Sequence, residues 1–310
     1  MDDEENLQPP LGMVFTIAGG QVAEVNYFNL STMDVVATLP FGARTVMASV
    51  MTPNGDKLAI ADGRTDELVI LQMPRLQQGP SVYLGGEPTD IDMDINASHL
   101  FAITHNGNFW IDSVGIERLD TLEVRLYPRR MAVRPPGRSE AWVVCPGNEA
   151  LHVISLLHHE ITYTETFEDM TPVDVQFSPC GAVAYVAFAG MPGSIVCYDA
   201  DSLRPLSSYE AGPGPFDLAV SDDSTLLAAS DSLSGTVTIW NLADNRSWTV
   251  RVGAWAGGLQ FEQHSHTLYV MAVGINQIMK LEIGPAGPQV IDSLRLPQNM
   301  HNMILWERHY

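Results

Sequence analysis

The fold is decided by the segment Pro172-Val-Asp-Val-Gln-Phe-Ser-Pro-Cys-Gly-Ala-Val-Ala-Tyr-Val-Ala187, which is followed by Ser194-Ile-Val-Cys-Tyr-Asp199. Apolar residues alternate with polar or small ones on both sides of a Ser-Pro-Cys-Gly turn, and a third apolar stretch ends at Asp199. A period of two is typical of β-strands, and Pro and Gly mark the turns between them. The segment therefore predicts three consecutive strands of one small sheet.

The same unit recurs along the chain. Its second strand can be anchored at six positions with successive spacings of 42, 41, 43, 43 and 41 residues, namely Leu58, Leu100, Ala141, Ala184, Leu227 and Leu268. Regular four-strand units at this spacing are typical of a β-propeller, in which each blade is one antiparallel sheet. No stretch of the chain keeps the apolar stripe of an amphipathic helix, so an α/β fold is disfavoured.

The two chain ends supply a seventh blade. Met13–Ile17, Val22–Asn26 and Val35–Thr38 predict strands two, three and four of a blade, and Met303–Trp306 predicts its missing first strand. Pairing the termini removes both open sheet edges. The sequence thus predicts an all-β, seven-bladed β-propeller of four-stranded antiparallel blades, with the ring closed by pairing of the N- and C-terminal strands.

Composition limits the class of protein and of partner. The 310 residues include 16 Lys+Arg and 37 Asp+Glu, a net charge of −21, yet only 17% are charged and 45% are hydrophobic. This composition indicates a folded chain. The deficit of basic residues excludes nucleic acid as a partner, and no apolar run is long enough for a transmembrane segment. We expect an acidic tail over residues 1–11 and a single domain over 12–310.

Three cysteines, Cys145, Cys180 and Cys197, lack the spacing of a metal site. An odd, sparse set in a chain of this length argues against a disulfide framework and against a Cys-ligated metal. Nucleophile-elbow, Walker, dinucleotide, zinc-protease and haem-attachment motifs do not occur. We therefore predict no cofactor and no bound metal.

Two copies of the unit resemble a known family repeat. Phe177-Ser-Pro-Cys-Gly with Tyr185-Val-Ala, and Met51-Thr-Pro-Asn-Gly with Leu58-Ala-Ile-Ala, are similar to the YVTN-type repeat of surface-protein and lactonase-like seven-bladed propellers. The resemblance extends over about residues 12–306. It implies an extracytoplasmic binding or scaffold protein in many cases, and a lactonase-like or cyclase-like enzyme in some. Gly235-Thr-Val-Thr-Ile-Trp240 looks closer to a WD40 strand ending, but the Gly-His partner of that motif is missing.

The innermost strands place four charged residues at one end of the predicted channel. Ten residues before the anchors lie Asp90, Asp174 and Asp217, and a one-residue slip in the irregular third repeat brings Arg130 to the same place. Three interpretations stay open. The aspartates could bond the backbone of the turn leading into their own strand, form a polar ligand site, or bind calcium. Arg130 argues against calcium because it is permanently charged.

Neighbouring loops add four candidate ligand-binding residues: Arg64, His105, Trp255 and His301. Arginines could hold a carboxylate, and His105 could move a proton beside Asp90 and Arg130. Trp255, in a glycine-rich loop, could form a stacking wall over the channel mouth.

The preferred hypothesis is a non-enzymatic interaction or scaffold propeller that binds a protein partner or a small anionic ligand at this face. The alternative is a cofactor-free lactonase-like hydrolase or cyclase/isomerase that acts on a carboxylate-bearing small molecule. Asn-x-Ser/Thr triplets at Asn29, Asn96 and Asn245 and the resemblance favour an extracytoplasmic location, periplasmic, cell-surface or secreted, with the leader absent from this chain. The alternative location is the cytoplasm.

Overall fold

The computed structural model describes residues 10–307 except 19–21, 43, 95, 97–98, 114–117 and 125–126. Its described residues form seven antiparallel sheets of four strands each. In six sheets the four strands are consecutive in the chain, and the remaining sheet joins the last strand to the first three. The predicted all-β class and the four-stranded antiparallel blade are therefore confirmed.

The strands are numbered in chain order. Sheet 1 contains β1 (Leu11–Ala18), β2 (Val22–Asn29), β3 (Val35–Gly42) and β28 (Asn299–Trp306). Sheet 2 contains β4 (Val46–Met51), β5 (Lys57–Asp62), β6 (Glu67–Gln72) and β7 (Gln77–Tyr83). Sheet 3 contains β8 (Pro88–Met93), β9 (His99–Thr104), β10 (Asn108–Ser113) and β11 (Arg118–Glu123). Sheet 4 contains β12 (Arg130–Val133), β13 (Glu140–Cys145), β14 (Ala150–Ser155) and β15 (Glu160–Thr166).

Sheet 5 contains β16 (Thr171–Phe177), β17 (Val183–Ala189), β18 (Gly193–Asp199) and β19 (Arg204–Ala211). Sheet 6 contains β20 (Pro215–Val220), β21 (Leu226–Asp231), β22 (Thr236–Asn241) and β23 (Ser247–Arg251). Sheet 7 contains β24 (Ala256–Phe261), β25 (Thr267–Ala272), β26 (Gln277–Gly284) and β27 (Gly287–Arg295). Short 3₁₀ turns span Pro146–Asn148 and Val273–Ile275. No helix in the described part of the chain is long and apolar enough to cross a membrane.

The described residues fall into two compact units. Unit 1 comprises Met1–Pro128 and Leu296–Tyr310 and contains sheets 1 to 3, whereas unit 2 comprises Arg129–Arg295 and contains sheets 4 to 7. The single domain over 12–310 stays a prediction. Residues 1–9 of the predicted acidic tail lie outside the described residues, and Leu11 already belongs to β1.

Both chain ends meet in sheet 1. β28 runs antiparallel to β1, with Met13 opposite Ile304 and Leu11 opposite Trp306. The predicted strand Met303–Trp306 therefore exists and begins earlier, at Asn299. Trp306 Nε1 also donates a hydrogen bond to Gly55 O at 2.9 Å, which ties sheet 1 to the first turn of sheet 2.

The cores lie between neighbouring sheets, because successive side chains of a strand point to opposite faces. In β17, Ala184, Val186 and Phe188 pack in the core shared with sheet 4, and Tyr185 and Ala187 pack in the core shared with sheet 6. Sheet 5 is therefore buried on both faces. Within unit 2, the first strand β16 contacts the first strands β12 and β20 of the neighbouring sheets, which is the arrangement expected of innermost strands.

A buried arginine joins sheet 4 to sheet 5. The side chain of Arg134 is only 3% exposed. Its Nε donates to Gly181 O at 2.7 Å, its Nη1 to Ala200 O at 3.0 Å, and its Nη2 to Asp201 Oδ1 at 2.7 Å. Gly181 has a φ of +67°, and a Cβ there would lie 1.7 Å from Pro135 O, so only glycine fits under the arginine. The Ser-Pro-Cys-Gly turn is thus a docking point for the preceding sheet.

Candidate functional site

Three of the four charged residues predicted at one end of the channel occupy equivalent positions in their sheets. Asp90, Asp174 and Asp217 each follow a proline by two residues, in Pro88-Thr-Asp, Pro172-Val-Asp and Pro215-Phe-Asp. In all three strands the register shifts between the proline and the aspartate. The residue between them is the extra residue of a β-bulge, which locally bends the strand and re-aims its side chains. All three strands are the first of their sheets.

The carboxylates of unit 2 connect one sheet to the next. Asp174 Oδ2 accepts a hydrogen bond from Leu218 N at 2.7 Å, and Asp217 Oδ2 accepts one from Leu259 N at 2.7 Å. Asp174 Oδ1 also accepts a hydrogen bond from Val175 N in its own strand at 2.8 Å, so this carboxylate joins its local backbone to the next sheet. The bulge turns each side chain toward the first strand of the following sheet, one repeat further along the chain. Asp90 is buried in unit 1.

An aromatic and cationic cluster lies next to Asp217. Phe216, the bulged residue of β20, has the guanidinium carbon of Arg129 at 5.0 Å and that of Arg130 at 6.0 Å from its ring centre. Arg129 Nη2 also donates to Phe216 O at 3.4 Å. The ring of Trp255 meets Phe216 edge-on at 6.5 Å. Unit 2 thus brings together four of the sequence-predicted residues and adds Arg129 and Phe216; the four are Arg130, Asp174, Asp217 and Trp255.

The carboxyls of this cluster have perturbed acidity. Burial raises the pKa of Asp174 to about 8, with a further rise from the charge of Asp217, while Arg130 and the Leu218 N–H oppose the rise. Burial also raises the pKa of Asp217, against the opposing effects of Arg130 and the Leu259 N–H. Because the neutral form of Asp174 is favoured only in the folded state, its contribution to stability is complete below about pH 4 and declines as the pH rises toward about 8.

We therefore expect Asp174→Asn to flatten the pH dependence of stability between about pH 4 and 8. The amide has no titratable proton, so the stability of the variant cannot depend on ionisation at this position, although the amide NH2 group cannot accept a hydrogen bond from one of the two backbone N–H groups. Urea unfolding of the parent and the variant at several pH values measures this slope. Asp292→Asn, at an exposed aspartate of β27, is the control and should keep the parent's slope. If the pH dependence of stability is the same in Asp174→Asn as in the parent, the raised pKa of Asp174 is contradicted.

The remaining predicted residues lie in unit 1 and face different partners. Arg64 is exposed, and its backbone N–H donates to Asp62 Oδ1 at 3.0 Å. His105 is exposed and meets the ring of Tyr127 edge-on at 4.6 Å. Within the described residues, no hydrogen bond or ion pair joins Arg64 to His105. His301 is the extra residue of a bulge in β28, and desolvation lowers the pKa of its imidazole.

A second feature of unit 2 is a set of adjoining loops that we name the uncharged face. It consists of residues 190–193, 211–216, 232–235, 252–257 and 273–276, none of which is charged. Backbone hydrogen bonds connect these loops in series: Gly193 N to Gly212 O, Ser232 N to Gly214 O, Gly253 N to Gly235 O and Gly274 N to Ala254 O. The face is therefore continuous across sheets 5, 6 and 7.

Large apolar side chains project from the uncharged face into solvent. Their exposed fractions are 77% for Met191, 69% for Leu233, 50% for Trp255 and 37% for Ile275. Sequence reasoning identified only Trp255. The sequence feature that marks the other three exposed residues is a single apolar residue beside Gly or Ser in the loop between the second and third strands of a sheet. Asp231-Ser-Leu-Ser-Gly235 is an example.

Titratable side chains at the opposite strand ends form pairs. His264 Nδ1 lies 2.7 Å from Asp222 Oδ2, and His266 Nε2 lies 2.7 Å from Asp223 Oδ2, so both pairs join sheet 7 to sheet 6. Within the described part of the chain, no three His, Cys, Asp or Glu side chains are placed to share a metal ion. Cys145, Cys180 and Cys197 are free thiols.

Comparison with known proteins identifies the architecture. No protein-family model matches the chain, and a search of curated proteins finds no match. Among solved structures, hydrazine synthase of Kuenenia stuttgartiensis is similar, with a TM-score of 0.71 and 16% identity over 77% of this chain and 77% of that chain. The fold is a β-propeller. At this identity the similarity carries no information about activity, because one fold supports many functions.

Proposed function

We propose that this protein is a non-enzymatic interaction propeller that binds a protein partner through the uncharged face. The observation that carries the proposal is the set of four exposed apolar side chains, Met191, Leu233, Trp255 and Ile275, on loops that are hydrogen-bonded to one another. Contiguous exposed apolar surface marks interaction sites in folded proteins, and loops on a rigid scaffold are the usual place for binding residues.

Binding is favoured over a hydrolase or isomerase for a geometric reason. The acid–base hypothesis needs Arg64, His105, Arg130 and Asp90 to act on one ligand. Arg64 and His105 have separate surroundings in unit 1: the Arg64 backbone N–H donates to the Asp62 carboxylate and His105 meets the Tyr127 ring. Among the described residues no hydrogen bond or ion pair joins these two side chains.

Site-specific photocrosslinking in cells that produce the protein tests this function. A benzophenone side chain at position 233 should give a discrete adduct with a partner. The same group at Leu157, which is 70% exposed in the turn between β14 and β15, is the matched control and should not. Introducing Leu233→Asp into a chain with the crosslinker at Trp255 should reduce the adduct about tenfold, because a charge replaces apolar area that the partner would bury in the complex. Equal adducts at 157 and 233, or none at 233 and 255, would overturn the proposal.

We further propose that the sheets form one closed ring of seven blades of the YVTN type. The repeat of about 42 residues and the pairing of β28 with β1 support this arrangement. Pairing of the two ends removes the open edges that a linear array of sheets would expose. Loss of cooperative unfolding on removal of β28 is the corresponding test.

A further inference from the structure

We propose that the partner docks on sheets 6 and 7 through an apolar protein segment with carboxylates at its margin, which meet Arg251 and Arg295. This inference rests on the proposed function and deepens it by naming the chemistry of the partner. It follows from the position of the two arginines relative to the uncharged face and from the charge of the rest of the chain.

Both arginines stand where an outer strand reaches the uncharged face. Arg251 is the last residue of β23, pairs with Thr236 and is followed directly by the loop 252–257. Arg295 is the last residue of β27 and pairs with Gln277, the first residue after the loop 273–276. Both side chains are exposed. The outer margin of the face is therefore positive at sheets 6 and 7.

This positive margin is local. The chain has 16 basic against 37 acidic residues, and the corresponding strand end of sheet 5 carries the exposed Glu210. An acidic segment is thus attracted to sheets 6 and 7 and repelled at sheet 5. The planar guanidinium group binds carboxylates through two parallel hydrogen bonds, which suits arginine to this role.

The centre of the face constrains the partner as well. Leu233, Trp255 and Ile275 offer no charge, so a charged partner side chain buried against them would lose its hydration without compensation. The complementary partner has large apolar side chains in the middle and acidic groups outside. A polyphosphate backbone does not fit, because it lacks the apolar contacts and meets a net charge of −21.

Fluorescence anisotropy with synthetic peptides tests the inference. The probe is a labelled peptide of alternating Leu and Glu, compared with a peptide in which Lys replaces every Glu. The full-length protein should bind the Glu peptide at least tenfold more tightly than the Lys peptide. Arg251→Glu and Arg295→Glu should each weaken Glu-peptide binding about threefold, and the double variant about tenfold, with a smaller effect at high salt. Arg204→Glu, at the far end of the outer strand β19, is the matched control and should leave binding unchanged.

The outcomes separate the two proposals. If Leu233→Asp abolishes binding but the arginine variants do not, the inference is wrong and the proposed function stands. Equal affinity for both peptides would also overturn the inference. The inference is also overturned if the parent binds vesicles containing anionic phospholipid, Leu233→Asp does not, and neither peptide binds the parent. The uncharged face would then recognise a lipid surface.

Discussion

Removal of the residues after Pro297 is expected to abolish cooperative unfolding. The deletion takes away β28, which contributes Ile304 and Trp306 to the core between sheets 1 and 2 and forms the ladder with β1. Lost apolar burial alone costs more than about 5 kcal/mol. That is comparable with the whole stability of a typical domain, about 5–15 kcal/mol. Differential scanning calorimetry should show a sharp transition in the parent and a broad one, or none, in the truncated chain.

Two variants control for the truncation. A chain that ends at Glu307 keeps all of β28 and should melt like the parent. Trp306→Phe keeps an aromatic ring but loses the hydrogen bond to Gly55 O, and should lower stability by about 1–3 kcal/mol with the transition still cooperative. If the chain truncated after Pro297 melts as sharply and as high as the parent, β28 does not hold sheet 1 together.

Arg134→Met is expected to lower the free energy of unfolding by about 2–6 kcal/mol, because two buried acceptors lose their donor and each unsatisfied buried group costs about 1–3 kcal/mol. The substitution leaves the carbonyl oxygens of Gly181 and Ala200 without their guanidinium donor. Urea denaturation should show a lower midpoint with an unchanged slope, since the surface exposed on unfolding stays the same.

Arg138→Met is the matched control. Arg138 lies near the same acceptor, Asp201 Oδ1, at 3.6 Å, but its side chain is 58% exposed. Exposed ion pairs contribute about 0–1 kcal/mol, so this variant should unfold close to the parent. Equal losses in the two arginine variants would show that burial of Arg134 has no energetic consequence.

The repeat made much of the fold predictable from the sequence. The alternation around Ala184 predicted β16, β17 and β18, and Met303–Trp306 predicted β28, because strand periodicity is a local property of the chain. The position of Asp174 and Asp217 on the first strands was also predictable from the spacing. Their hydrogen-bond partners were not, since Leu218 and Leu259 lie a whole repeat away and are reached only through the bulges.

The candidate site was predictable only in part for a similar reason. Arg129 and Phe216 are 87 positions apart, Arg129 directly before the first strand of sheet 4 and Phe216 in that of sheet 6, so no local pattern predicts their contact. The exposure of Leu233 depends on how the surrounding loops pack. The apolar pattern of a short Ser/Gly segment does not predict that packing. The exposure of loop side chains therefore could not be predicted from the sequence, whereas the positions of the strands could.

The Pro-x-Asp bulge makes the order of the repeats directional. Asp174 of sheet 5 needs an amide from sheet 6, and Asp217 of sheet 6 needs one from sheet 7. At the equivalent position sheet 7 has Gly258, where the series of carboxylates ends. Because synthesis runs from the N-terminus, the acceptor of each pair is made before its donor. Each repeat of this series therefore completes the one made before it, and a transplanted single repeat would carry an acceptor without its donor.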